Sequence, residues 1–128
     1  MKILGIGVDI IENKRIAKSI KKKNFLKKIF NKQEIDFYNK GKTSYNFYAK
    51  RFAAKESLSK ALGSGFRGNL AFKDIIILND KLGKPFFKKT KKLNNLITNK
   101  FKIRKYNLFL SISDEKDYSI AFTIIQKQ

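Results

Sequence analysis

An α+β fold, with an antiparallel sheet packed against a long central helix and shorter helices, follows from three features of the sequence. Residues 2–12 alternate as a strand does, Leu4, Ile6, Val8 and Ile10 on one face and Gly5, Gly7 and Asp9 on the other. Residues 50–62 are dominated by Ala, Leu, Lys and Glu without Pro, the composition of a long helix, and stop at Gly63. Two alternating runs, 106–113 and 118–125, close the chain and are joined as a hairpin by residues 114–117. The resulting order, β-α-α-α-β-β-α-β-β, argues for an antiparallel sheet. At 128 residues, without a repeat, linker or low-complexity tract, the chain is expected to be one domain, residues 1–128.

In the first strand Leu4, Ile6, Val8 and Ile10 are expected to pack inward. Glycines weaken a strand and usually mark close approach by a backbone or a ligand. Asp9 is therefore expected to project from a face cleared of side chains, although a strand-end Asp also serves in turns and caps. Residues 14–23 read as a short helix with Ile16 and Ile20 on its buried side. Arg15, Lys18 and Lys22 recur on it at i, i+3 and i+7, forming either a binding face or a solvated lysine face. Residues 25–30 are apolar enough to tuck against the core. Asn31 with Glu34 three residues later matches a capped helix start, opening a helix through Tyr38.

Residues 41–44 form a loop from which Thr43 or Ser44 can cap the central helix. In that helix Phe47, Ala54, Leu58, Ala61 and Leu62 fall on one side, a core stripe. Glu56 and Lys60 lie one turn apart on the opposite side, with Phe52 a turn before them. Two readings stay open for this pair. One is an exposed i,i+4 ion pair worth roughly 0.2–0.5 kcal/mol. The other is a carboxylate and an ammonium that, beside the bare loop Gly63-Ser64-Gly65, hold a metal-bound phosphate group. That loop continues through residues 66–69. Residues 71–78 are expected as an Ile-rich strand ended by Asn79, Asp80 and Gly83, with a return strand starting at Pro85. Leu93, Leu96, Ile97 and Phe101 keep helical spacing within the polar stretch 88–105, so a covering helix is expected there. In the closing strands Leu108, Leu110 and Ile112 share one face, as do Ile120, Phe122 and Ile124.

Lys and Arg number 30 against 10 Asp and Glu, a net charge of +20. Such an excess points to an anionic partner: nucleic acid, an anionic membrane or an acidic protein. Lys, Asn, Ile, Phe and Tyr, all with A/T-rich codons, are abundant together, so genome composition accounts for part of the lysine. The absence of Cys rules out a disulfide framework and thiolate chemistry, and the absence of both Cys and His argues against a zinc enzyme. No apolar run approaches the roughly 18 residues of a membrane span, and the N-terminus lacks a signal-peptide core. A cytoplasmic protein is expected.

Gly5-Ile6-Gly7-Val8-Asp9-Ile10-Ile11-Glu12, Lys14-Arg15-Ile16, and the run from Arg51 through Glu56 and Lys60 to Gly65 together resemble holo-[acyl-carrier-protein] synthase. This is the small, stand-alone type of 4′-phosphopantetheinyl transferase. Ala71-Phe72-Lys73-Asp74-Ile75, Asn79-Asp80-Lys81-Leu82-Gly83-Lys84-Pro85 and Ser111-Ile112-Ser113-Asp114-Glu115 extend the match in family order along nearly the whole chain. The resemblance implies that family's fold and transfer of 4′-phosphopantetheine from coenzyme A to a serine of apo acyl carrier protein, in fatty acid biosynthesis. It places Asp9 and Glu56 as Mg²⁺ ligands and Lys60 as the phosphate-contacting lysine. It also places Gly63, Ser64, Gly65, Lys84 and Pro85 at the coenzyme, and Arg15, Lys18 and Lys22 at the acidic carrier protein. A homotrimer with shared active sites is implied as well. Many similar enzymes have His after the Ser-x-Ser of the penultimate strand, where this chain has Asp114 and Glu115. The base for the serine proton is then a metal-bound water or a carboxylate acting through water. An acidic residue near Glu34 is common in the family, and a capping role accounts for it here.

The alternative from another class is a small basic nucleic-acid-binding protein, supported by the +20 charge with Tyr38, Tyr45 and Phe47 interleaved. No motif of a named nucleic-acid module accompanies it. Asp9 and Glu56 would be without purpose on such a surface.

Overall fold

Alternation along β1 (Lys2–Glu12) and along the hairpin strands β4 (Tyr106–Asp114) and β5 (Tyr118–Lys127) produces one antiparallel sheet in the order β1-β5-β4. The chain's first strand thus lies beside its last, with Gly7 opposite Thr123 and Asp9 opposite Ala121. The computed structural model describes residues 1–41, 46–63 and 70–128. Between the strands run α1 (Asn13–Ser19), α2 (Phe25–Ile29), α3 (Lys32–Asn39), α4 (Phe47–Leu62) and α5 (Lys91–Phe101). A small second sheet pairs β2 (Ile77–Asn79) with β3 (Pro85–Phe87). This is the α+β arrangement expected from the sequence.

The helix α4 lies across β1 and β5 and is buried on nearly every side. Its predicted stripe of Phe47, Ala54, Leu58, Ala61 and Leu62 is in the core, and Glu56, Lys60 and Phe52 occupy its more open side. Gly63 ends it in the left-handed conformation (φ 79°), with its N–H on the carbonyls of Ser59 and Lys60. The proposed caps Thr43 and Ser44 lie outside the described residues. Asn46 occupies the N-cap position, and its side chain does not cap the helix.

The inward face of β1 is the opposite of the one expected. Ile6, Val8 and Ile10 are 59%, 48% and 63% exposed. The glycine face packs against α4: a Cβ on Gly5 would stand 2.0 Å from the Ala61 carbonyl oxygen. Alternation separates two faces but does not say which is covered, and the helix backbone takes the face without side chains. Ile120 and Phe122 of β5 and Phe109 of β4 extend the exposed apolar surface beside β1.

Two other expectations change. The run 71–78 is a 3-10 turn (Phe72–Asp74) followed by the short β2, because local and distant side chains capture its backbone groups. Asp74 accepts the Ala71 N–H, and Lys55 donates to the carbonyls of Phe72 and Ile75. The first helix ends at Ser19, not Lys23, so Lys22 stands in the following turn. The Asn31 start holds: Asn31 accepts from the Gln33 N–H, and Glu34 accepts from the Asn31 N–H.

Candidate active site

Strand β1 and helix α4 approach closely because Gly5 and Gly7 present no side chains, and the next inward residue along β1 is Asp9. Its carboxylate accepts a hydrogen bond from Lys60 Nζ at 3.1 Å, across the strand–helix interface. Lys60 is thus tied to Asp9 on another element, not to the Glu56 one turn before it. Glu56 makes no hydrogen bond or ion pair among the described residues, although it is half-buried. Burial pushes its carboxyl up, and the Asp9 charge adds to that push, while Lys60 and Arg15 pull it back. Two carboxylates and two cations therefore share one electrostatic neighbourhood built from β1, α1 and α4.

This donor set suits a hard divalent cation. A half-buried carboxylate without a partner, beside a second carboxylate, gains from a cation that takes oxygen ligands. No group of three or more His, Cys, Asp or Glu side chains gathers among the described residues. Two protein carboxylates leave the remaining positions around such a cation for water and phosphate oxygens, as Mg²⁺ commonly requires.

The other predicted site residues divide. Arg15 and Lys18 line a shallow groove along α1 together with Lys14 and Lys21, whereas Lys22 lies outside that lining. The N–H of Gly63 is saturated by the helix end, so Gly63 offers room rather than a donor. Ser64 and Gly65 lie outside the described residues. Lys84 and Pro85 sit at the β2–β3 turn, where Asp80 accepts the N–H groups of Leu82 and Lys84. That turn is tied to α4 through Arg51, which donates to Asn79 Oδ1 at 2.6 Å, while Asn79 donates to the Gly83 carbonyl.

Sequence reasoning missed the buried charges beneath this site. Glu34 and Lys55 are fully buried and joined at 2.6 Å. Burial pulls the Lys55 ammonium down, against the Glu34 charge. Burial likewise lowers Arg51 to about 10, with Glu34 opposing the shift. The Arg51 guanidinium also lies 4.3 Å from the Phe47 ring centroid. A signal existed: Arg51 and Lys55 stand at i and i+4 to the core residues Leu58 and Leu62 at i+7 and i+11, one helical face. Glu34 therefore both caps α3 and neutralises this pair. The aromatics that suggested nucleic acid are engaged as well. Phe47 is buried against Tyr38 and Tyr48, and Tyr45 lies outside the described residues.

Comparison with known proteins matches this chain to one family. The family model described as the 4′-phosphopantetheinyl transferase superfamily matches residues 5–123. The holo-[acyl-carrier-protein] synthase of Pelagibacter ubique (strain HTCC1062) is 58% identical over 128 residues, covering 100% of both chains. That of Clostridium botulinum (strain Eklund 17B / Type B) is 45% identical, covering 97% of this chain and 98% of its own. Among solved structures, the synthase from Neisseria meningitidis superimposes with TM-score 0.85 at 38% identity, covering 98% of this chain and 100% of that one. The synthase from Bacillus anthracis str. Ames, in complex with CoA (3′,5′-ADP), gives TM-score 0.80 at 34% identity and covers 98% of each chain.

Proposed function

The chain belongs to the holo-[acyl-carrier-protein] synthases of the 4′-phosphopantetheinyl transferase superfamily, and from that premise we propose that it uses Mg²⁺ to transfer 4′-phosphopantetheine from coenzyme A to a serine of apo acyl carrier protein. Adenosine 3′,5′-bisphosphate is the other product. The observation that carries this reading is the meeting of Asp9, Lys60 and Glu56 at the β1–α4 contact. Coenzyme binding is supported by relatives, since the Bacillus anthracis enzyme is described with CoA (3′,5′-ADP) and the Helicobacter pylori enzyme with coenzyme A.

Asp9 and Glu56 would hold the metal, which when bound supplies positive charge to the pyrophosphate of coenzyme A. Lys60 is 54% exposed at its side chain and hence free to leave Asp9 for a phosphate oxygen. Its ammonium offsets charge on the leaving phosphate. The serine oxygen forms the new bond to phosphorus as the bond to the leaving phosphate oxygen breaks. No histidine is present to take the serine proton, so a carboxylate of this chain acting through water would receive it.

Arg15 and Lys18 in the α1 groove meet the acidic carrier protein, and Lys84 and Pro85 meet the nucleotide end of the coenzyme. The exposed apolar face of β1 and β5 is a surface suited to a further copy of the chain, in keeping with a homotrimer that shares its sites. No helix among the described residues is long and apolar enough to cross a membrane, and we place the single domain, residues 1–128, in the cytoplasm.

The test is direct. Protein, coenzyme A, Mg²⁺ and an apo acyl carrier protein are mixed, and the carrier is weighed intact for the added pantetheine arm. A carrier left unmodified with every divalent metal tried, alongside salt-sensitive binding of the chain to nucleic acid, would overturn the reading in favour of a nucleic-acid-binding protein.

A further inference from the structure

The start of α1 carries an asparagine whose bonding is unusual for that place. Asn is a strong helix-capping residue, yet Asn13 does not cap α1: the N-cap position is Glu12, and no side chain caps it. The Asn13 side chain is instead saturated by the β4–β5 connection. Its Nδ2 donates to the carbonyls of Glu115 (2.9 Å) and Lys116 (3.0 Å), and its backbone N–H donates to that of Asp117 (2.8 Å). All three carbonyls of the connecting residues are therefore taken by one residue 102 or more positions away. Its Oδ1 accepts from the buried Ser119 hydroxyl at 2.6 Å. Asn13 is only 5% exposed, and Ser119 is fully buried. Asn46, at the start of α4, adds a second donor to the Glu115 carbonyl at 3.2 Å.

Helix α1 has seven residues, too few to hold its place by its own hydrogen bonds. Its buried residues are Asn13 and Ile16, with Arg15 between them. Ile16 gives apolar contact, which is non-directional, whereas four hydrogen bonds at Asn13 fix an orientation. We propose that Asn13 is a positioning residue for carrier-protein docking: it locks the first turn of α1 to the β4–β5 turn and so holds Arg15 and Lys18 in the groove that meets the acidic partner. This rests on the docking role given to α1 above. Arg15 recognises a carboxylate through a planar fork, so a tilt of the helix start costs it geometry that a point charge would tolerate.

The experiment measures initial rates with carrier protein and coenzyme A varied separately. The variants are Asn13→Leu, Arg15→Glu, and Ile97→Ala, whose cavity beneath α5 lowers stability away from the site. Asn13→Leu should raise KM for the carrier about tenfold, keep KM for coenzyme A within about twofold, and flatten the dependence of the carrier KM on ionic strength. Ile97→Ala should move neither KM at a comparable loss of melting temperature. If both KM values of Asn13→Leu rise together, or neither moves, the proposal is overturned and Asn13 only supports the fold. If Arg15→Glu leaves the carrier KM unchanged, the docking role of α1 fails first and the proposal falls with it. Should Asn13→Leu not fold, Asn46→Ala removes the other donor to the Glu115 carbonyl. It should raise the carrier KM by a smaller factor, and no rise overturns the proposal.

Discussion

Gly7 of β1 lies so close to Ser57 of α4 that a Cβ on the glycine would stand 1.8 Å from the serine carbonyl oxygen. No real Cβ contact is that short, and the obstacle is helix backbone rather than a side chain that can turn away. The same region is tied by Ser57 and Thr123, whose buried hydroxyls meet at 2.6 Å. Gly7→Ala should therefore force α4 off the sheet and cost roughly 3 kcal/mol or more, read from urea denaturation. A loss below about 1 kcal/mol would mean that α4 slides to accommodate the methyl group.

Asp9→Asn and Glu56→Gln each keep shape and delete a charged oxygen. Both should leave a folded protein and remove most transfer activity, read by intact mass of the carrier. In the native protein EDTA should abolish transfer, and Mg²⁺ or Mn²⁺ should restore it. Near-native turnover in Glu56→Gln would leave Glu56 a half-buried acid with no part in the transfer.

Lys60 separates rate from stability. Its ion pair with Asp9 is half-exposed and worth about 0–1 kcal/mol at most. Lys60→Ala should lower kcat by far more than such a loss explains, with little change in melting temperature. A fall in both, in proportion, would leave Lys60 a simple partner of Asp9.

The Glu34–Lys55 pair is predicted to be structural. Lys55→Met leaves Glu34 buried and without its ammonium, which should cost about 3–5 kcal/mol. Adding Glu34→Gln removes the carboxylate that lost its ammonium but leaves the buried Arg51 without its counter-charge at 3.9 Å, so only part of the loss should be recovered. A double variant no more stable than Lys55→Met would assign the loss instead to the Lys55 hydrogen bonds to the carbonyls of Phe72 and Ile75 or to the unbalanced Arg51 charge.

Tyr48 gives a signed pH dependence. Burial pushes its phenol from the ordinary value near 10 up to about 12, and Tyr38 and Glu34 add to the shift. The folded state thus holds this proton more tightly than the unfolded state does. Its contribution to stability is complete below pH 10 and is lost as pH rises through about 12. Denaturation midpoints measured across that window should fall more steeply for the native protein than for Tyr48→Phe. Parallel curves would show that Tyr48 does not titrate late.

Much of the fold was legible in the sequence, because periodicity, turn residues and helix ends are local properties, whereas the meeting of Asp9 with α4 was implied only by the family resemblance. The strand limits of β1, the Gly63 helix stop and the Asn31–Glu34 cap all followed from neighbours within a few residues. Which face of β1 is covered did not. Ile6, Val8 and Ile10 looked like core by hydrophobicity, and only the arrival of the α4 backbone selected the glycine face, while Leu4, beside the register shift between Ile3 and Gly5, does pack against the core. The irregular start of the second sheet was hidden for a similar reason, since the donor that captures its carbonyls is Lys55, on another element. Arg51 and Lys55 stood on the core stripe of α4, but a buried charge becomes intelligible only once Glu34 is seen beside it. The sequence by itself determined most of the element types and, through the family resemblance, which residues to expect at the site. Tertiary structure alone decided which faces met and which distant groups, such as Asn13 and the turn at Glu115, saturated one another, because hydrogen bonds and close packing depend on positions that chain order does not contain.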